Sequence, residues 1–147
     1  MKTIIDKLRD SLSPIIGGED RFHYADRDDL NVILDNACFP CAFCNLAKAS
    51  VVDSDYGGMR EKITIEVYFC DLVPIGINGI ENERVLQRQK ERALEWVASL
   101  KRSDDFLFGG VNGTNRWYSP DGLDVNFTAY SVSVTLTEMK SYGDCGL

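Results

Sequence analysis

"EKITIEVYFCDLV", residues 61–73, alternates Ile63, Ile65, Val67 and Phe69 with Thr64, Glu66, Tyr68 and Cys70. A side-chain period of two belongs to a strand whose two faces meet different surroundings. Upstream, "DSDYGG" (53–58) is rich in turn formers, and Cys38 to Val52 is a run of small and apolar residues. Two such runs on either side of a turn predict an antiparallel hairpin.

Downstream, "IGINGI" (75–80) breaks the alternation, and the period changes. Leu86, Ala93, Val97 and Leu100, with Val85 and Trp96 beside them, make one apolar stripe in a helix over 81–102. Near the start of the chain, Ile4, Ile5, Leu8 and Leu12 repeat at helical spacing. They predict a helix from Thr3 to Leu12 that Ser13-Pro14 closes, within an N-terminal helical segment of residues 1–16. Gly17-Gly18 reads as a loop. "FHYADRDDLNVILDNA" (22–37) reads either as a short capped helix or as a polar loop before a strand.

Beyond Ser103 the pattern returns to strands. "FLFGGV" (106–111), "NRWYS" (115–119) and "LDVNFTAYSVSVTLTE" (123–138) are parted by "NGTN" and "SPDG" turns. Leu123, Val125 and Phe127 share one parity, while Tyr130, Val132, Val134 and Leu136 share the other. That change predicts a bulge near Thr128-Ala129. The tail, 139–147, is polar and reads as flexible. The fold expected is α+β: one domain over 1–147, with a mainly antiparallel sheet of about four to six strands packed against one long amphipathic helix and an N-terminal helix.

The composition fits such a domain. Hydrophobic residues are 44% and charged residues 27% of 147, with a net charge of −7. A negative surface argues against general nucleic-acid or anionic-membrane binding, since both partners are polyanions. No stretch approaches the roughly 20 apolar residues that span a bilayer. The first residues carry no secretory pattern, so the expected location is cytoplasmic, where thiols stay reduced. On that route Asn112-Gly-Thr and Asn126-Phe-Thr are turn and strand residues and not glycosylation sites.

"CFPCAFC" (38–44) holds three of the five cysteines. Thiolates three apart can hold zinc or an iron–sulfur cluster, but a fourth ligand would have to come from Cys70, Cys145 or His23. In an extended strand Cys41 and Cys44 face opposite ways, which defeats shared ligation. A redox CxxC needs a helix N-terminus after a strand, which "CAFCNLAKAS" does not offer. The packing reading, with cysteine as a small hydrophobe, is therefore preferred. His23, the only histidine, reads as a surface or edge residue without a nucleophile-elbow serine to serve. No catalytic, cofactor-binding or metal-ligating set emerges, and no cofactor is implied.

The order of elements resembles a known class. An N-terminal helix precedes "FPCAFCNL" (39–46), then come "KITIEVYFCDL" (62–72), "ENERVLQRQKERALEWVASLK" (81–101) and a β-rich half ending in "YSVSVTLTE" (130–138). This is similar to the small tail-terminator and head–tail joining (neck, tail-completion) proteins of tailed bacteriophages and prophages. The resemblance implies a non-enzymatic virion structural protein that forms a ring-like homo-oligomer and contacts other neck or tail proteins. It also implies residence in the bacterial cytoplasm, or in the virion of a functional phage. The alternative is a metal- or redox-dependent protein using Cys38, Cys41 and Cys44, with Cys70 as a further member. A small-ligand module built on the glycine-rich loops has no residue-level support.

Overall fold

The computed structural model describes residues 2–25, 37–45, 50–55, 58–73, 79–118 and 127–139. Among these the architecture is α+β. Helix α1 spans Ile4–Ile16 and α2 spans Gly79–Arg102, with a 3-10 turn at Glu19–Arg21 between α1 and the first strand. The strands are β1 (Phe22–Ala25), β2 (Cys41–Asn45), β3 (Ser50–Asp55), β4 (Gly58–Leu72), β5 (Phe106–Tyr118) and β6 (Phe127–Glu138). They form one sheet in the order β1-β2-β4-β6-β5, with β3 also on β4. Every pairing is antiparallel except that of β1 with β2.

β4, which carries the alternating stretch, is the centre of the sheet. One edge of β4 pairs with β6 from Lys62↔Thr137 to Leu72↔Phe127. Along its other edge the first half pairs with β3 and the second half with β2. The predicted hairpin is present, with Asp55 opposite Gly58. The single strand expected over Cys38–Val52 is two strands. Six residue steps from Cys44 to Ser50 stand against four from Val67 to Ile63, so β2 and β3 keep different registers on β4.

Both helices cover one face. Ile63, Ile65, Val67 and Phe69 from β4 and Tyr130, Val132, Val134 and Leu136 from β6 meet Leu8, Leu12 and Ile16 of α1 and Leu86, Ala93, Trp96, Val97 and Leu100 of α2. Burying each such aliphatic or aromatic side chain is worth about 1.5–3 kcal/mol, so this layer is the main stabilising term. Phe69 meets Trp96 at 5.9 Å between ring centres. Gln89 completes the buried stripe of α2, a position the apolar spacing omits. Its amide donates to Val85 O (3.3 Å) and its carbonyl accepts from Arg92 (2.9 Å), which makes burial tolerable.

The proline does not end α1 as expected. Thr3 caps the helix in a reciprocal box with Asp6, and the helix runs through Pro14 to Ile16 before Gly17 closes it at φ 95°. Burial of Ile16, two turns beyond Leu8, holds that last turn despite the lost backbone donor. Phe22–Ala25, within the ambiguous stretch, is a strand; residues 26–36 lie outside the described residues. The "NGTN" segment is not a turn. It lies within β5, which crosses two register shifts between Phe108 and Gly113, and Gly110 adopts φ 116° there.

The bulge expected near Thr128-Ala129 is absent, because the β4–β6 register is continuous. Both parities of β6 are apolar there for a different reason. Phe127 and Ala129 belong to a second buried cluster on the face away from the helices. Leu123, Val125, the "SPDG" turn and the tail beyond Met139 lie outside the described residues.

Candidate functional site

Two features stand out beyond the main core: the second cluster and the sheet edge formed by β5. In the cluster, Cys41, Cys70, Phe127 and Ala129 are buried, and Ala37, Phe39, Tyr68 and Trp117 pack against them. The alternation of β2 sends Cys41 into this cluster and Ala42 and Cys44 into the helix-covered core. Cys41 and Cys44 are therefore buried strand residues on opposite faces. Cys38 is exposed, and Cys145 lies outside the described residues. Among the described residues no three His, Cys, Asp or Glu side chains converge as a metal site.

Polar groups thread the same face. Trp117 Nε1 donates to Ser131 Oγ (2.9 Å), which donates to Glu66 Oε2 (3.4 Å), while Tyr68 OH donates to Glu66 Oε1. Rings brace the chain: Tyr68 lies 5.4 Å from Trp117 and 6.0 Å from Phe43. Ser131 is fully buried, so its hydroxyl spends its proton on a carboxylate and its lone pair on the indole. That arrangement satisfies buried polarity and supplies no activated nucleophile. His23 sits on β1, the border strand among the described residues, as expected of an edge histidine. Its Nε2 is buried with no hydrogen-bond partner among the described residues, and burial lowers its pKa, partly offset by Asp20.

The Cys44 and Cys70 thiols are held protonated. Burial pushes Cys44 up, with a further contribution from the Glu66 charge. Cys70 is pushed up by its hydrogen bond with Cys41 and by complete burial. The pairing signal lay in parity: Cys70 falls off the apolar parity of its own strand, on the face Cys41 also takes.

β5 is the other feature. Among the described residues it pairs only with β6. Its ends are fixed. Phe106 is buried, Lys101 Nζ lies 5.8 Å over the Phe108 ring, and Arg116 and Tyr118 both reach Glu83 of α2 at 2.9 Å and 3.1 Å. Between these ends, residues 111–116 are exposed on both faces, Val111 included. Natural edges are usually blunted by lysine, proline or bulges. β5 has bulges near Gly110, but Gly113 to Tyr118 runs in regular register and carries neither lysine nor proline.

A cavity of about 520 Å³ opens where the β3–β4 hairpin passes the start of α1, lined by Lys2, Thr3, Ile4, Val52, Met59, Glu61 and Glu138. Among the described residues no helix is long and apolar enough to cross a membrane. No protein-family model matches the chain, and no curated protein matches it.

Proposed function

We propose that the protein is a non-enzymatic structural subunit of a bacteriophage or prophage neck or tail, working by self-association and by contact with neighbouring virion proteins. The observation that carries this reading is β5: a 13-residue border strand, pinned at both ends and exposed along its middle. A strand of this kind adds main-chain hydrogen bonds to a strand of another chain. When the border of one copy meets a different surface of the next, and the rotation closes, the product is a ring. The element order described above supplies the virion context, and the charge of −7 suits a passage along which DNA moves without adhering. Assembly would take place in the host cytoplasm, with the product carried in the virion.

Sedimentation velocity over a range of concentrations tests the reading. The wild-type chain should form a closed assembly or associate with rising concentration. Val111→Lys and Thr114→Lys, both at exposed positions, should weaken association without altering the circular dichroism spectrum. A strict monomer at every concentration, unchanged by neck or tail proteins of the same genome, would sink it.

A further inference from the structure

Cys41 and Cys70 stand directly opposite each other in the antiparallel β2–β4 ladder. Both belong to the same buried cluster, on the same face of the sheet. Directly opposed residues place their Cβ atoms about 4.5–5.5 Å apart. A disulfide needs about 3.5–4.5 Å, a gap closed when one strand draws in slightly. β2 is the strand free to do so, since among the described residues its outer edge is held only by β1, four residues long.

We propose that Cys41 and Cys70 are a redox modification site: a cross-strand dithiol that a small-molecule disulfide oxidises to a Cys41–Cys70 disulfide, locking β2 onto β4. In the first step one protein sulfur, as thiolate, attacks the oxidant disulfide and expels one thiolate. The second protein sulfur then attacks the mixed disulfide and expels the other. Two protein thiols lose two electrons, the oxidant gains them as two small thiols, and the two protons pass to those thiols. The adjacent Cys41 thiol and burial keep Cys70 protonated, so the pair is slow to react in the closed fold. Reaction therefore proceeds through opening of the β1–β2 border, and the pair is a lock and not a turnover catalyst. This site is independent of the β5 border and of any assembly through it.

The neighbouring cysteines make different pairings, and the register separates them. Cys44 lies on the other face of β2, opposite Val67. Cys38 is exposed and serves as the competitor to be removed. The test uses the full chain with Cys38→Ser and Cys145→Ser, incubated with oxidised glutathione with and without mild urea, then alkylated and digested with chymotrypsin. Cleavage after Phe43 separates Cys41 from Cys44. The expected result is a peptide bearing Cys41 joined to one bearing Cys70, two hydrogens lighter than their sum and released by dithiothreitol. It should form faster in urea, vanish in Cys70→Ser or Cys70→Ala, and accompany a rise of several degrees in melting temperature. The proposal is overturned if Cys41 and Cys70 both stay alkylatable after prolonged oxidation of the folded protein, or if Cys41 is found joined to Cys44.

Discussion

The indole Nε1 of Trp96 donates to Ser11 Oγ over 2.9 Å, tying α2 to α1 across 85 residues of sequence. Ser11 in turn donates to Leu8 O at 2.6 Å, so one hydroxyl both caps a carbonyl and receives the indole. Trp96 is fully buried, and its N–H has no access to water as a substitute. Ser11→Ala should therefore cost about 1–3 kcal/mol, the penalty for an orphaned buried donor. Trp96→Ala should cost about 3–5 kcal/mol through the cavity it leaves. In urea denaturation Ser11→Ala made on Trp96→Phe should cost less than it does alone, because the donor is already gone.

The glycines of β5 make a sharper test of backbone geometry. Gly110 has φ 116°, a region L side chains avoid, yet nothing lies within 4 Å of an added Cβ. Gly110→Ala should destabilise by about 1–2 kcal/mol through conformation alone. Gly109 has the opposite problem: its Cβ would sit 3.1 Å from Thr135 O, so Gly109→Ala should push β5 off β6. Gly113 has open space and no positive φ, and Gly113→Ala should be neutral or slightly stabilising. Thermal melts of the three variants should rank Gly113→Ala above the other two.

Helix α1 depends on its cap. Asp6 N donates to Thr3 Oγ1 (3.1 Å), and the Asp6 carboxylate accepts from Thr3 N (2.9 Å). Thr3→Ala should destabilise by about 1 kcal/mol. The hydrogen bonds from the Thr3 backbone and hydroxyl hold the Asp6 carboxyl below its usual value of 3.8. Its contribution is present above that value and is lost as pH falls through the lowered one, so Asp6→Asn should flatten the acid limb of a stability–pH curve.

A single histidine makes the neutral-pH behaviour readable. Burial lowers the His23 pKa from its ordinary 6.5. The unfolded chain therefore binds the proton more readily than the folded one. Stability should be full above 6.5 and decline as pH falls from there to the folded value. His23→Phe should remove that slope in chemical denaturation, leaving only the carboxylate limb at lower pH.

How much of this was readable in advance depends on the range of the interactions. The alternation of Ile63, Ile65, Val67 and Phe69 and the stripe from Leu86 to Leu100 are local periodicities. They set the α+β class, the strand over 61–73, the long helix and the hairpin, because each element must bury one face. The continuation of α1 through Pro14 rests on where Ile16 is buried. The parallel pairing of β1, the passage of β5 through "NGTN" and the double-sided burial of β6 arise from partners far along the chain. The same holds at the candidate sites. That Cys41 and Cys44 part to opposite faces followed from strand geometry. That Cys41 meets Cys70, and that Glu66, Ser131 and Trp117 join in one chain of hydrogen bonds, followed only from the register in which β2, β4, β6 and β5 lie side by side. Register is fixed by the whole sheet settling at once, and no short window of residues carries it.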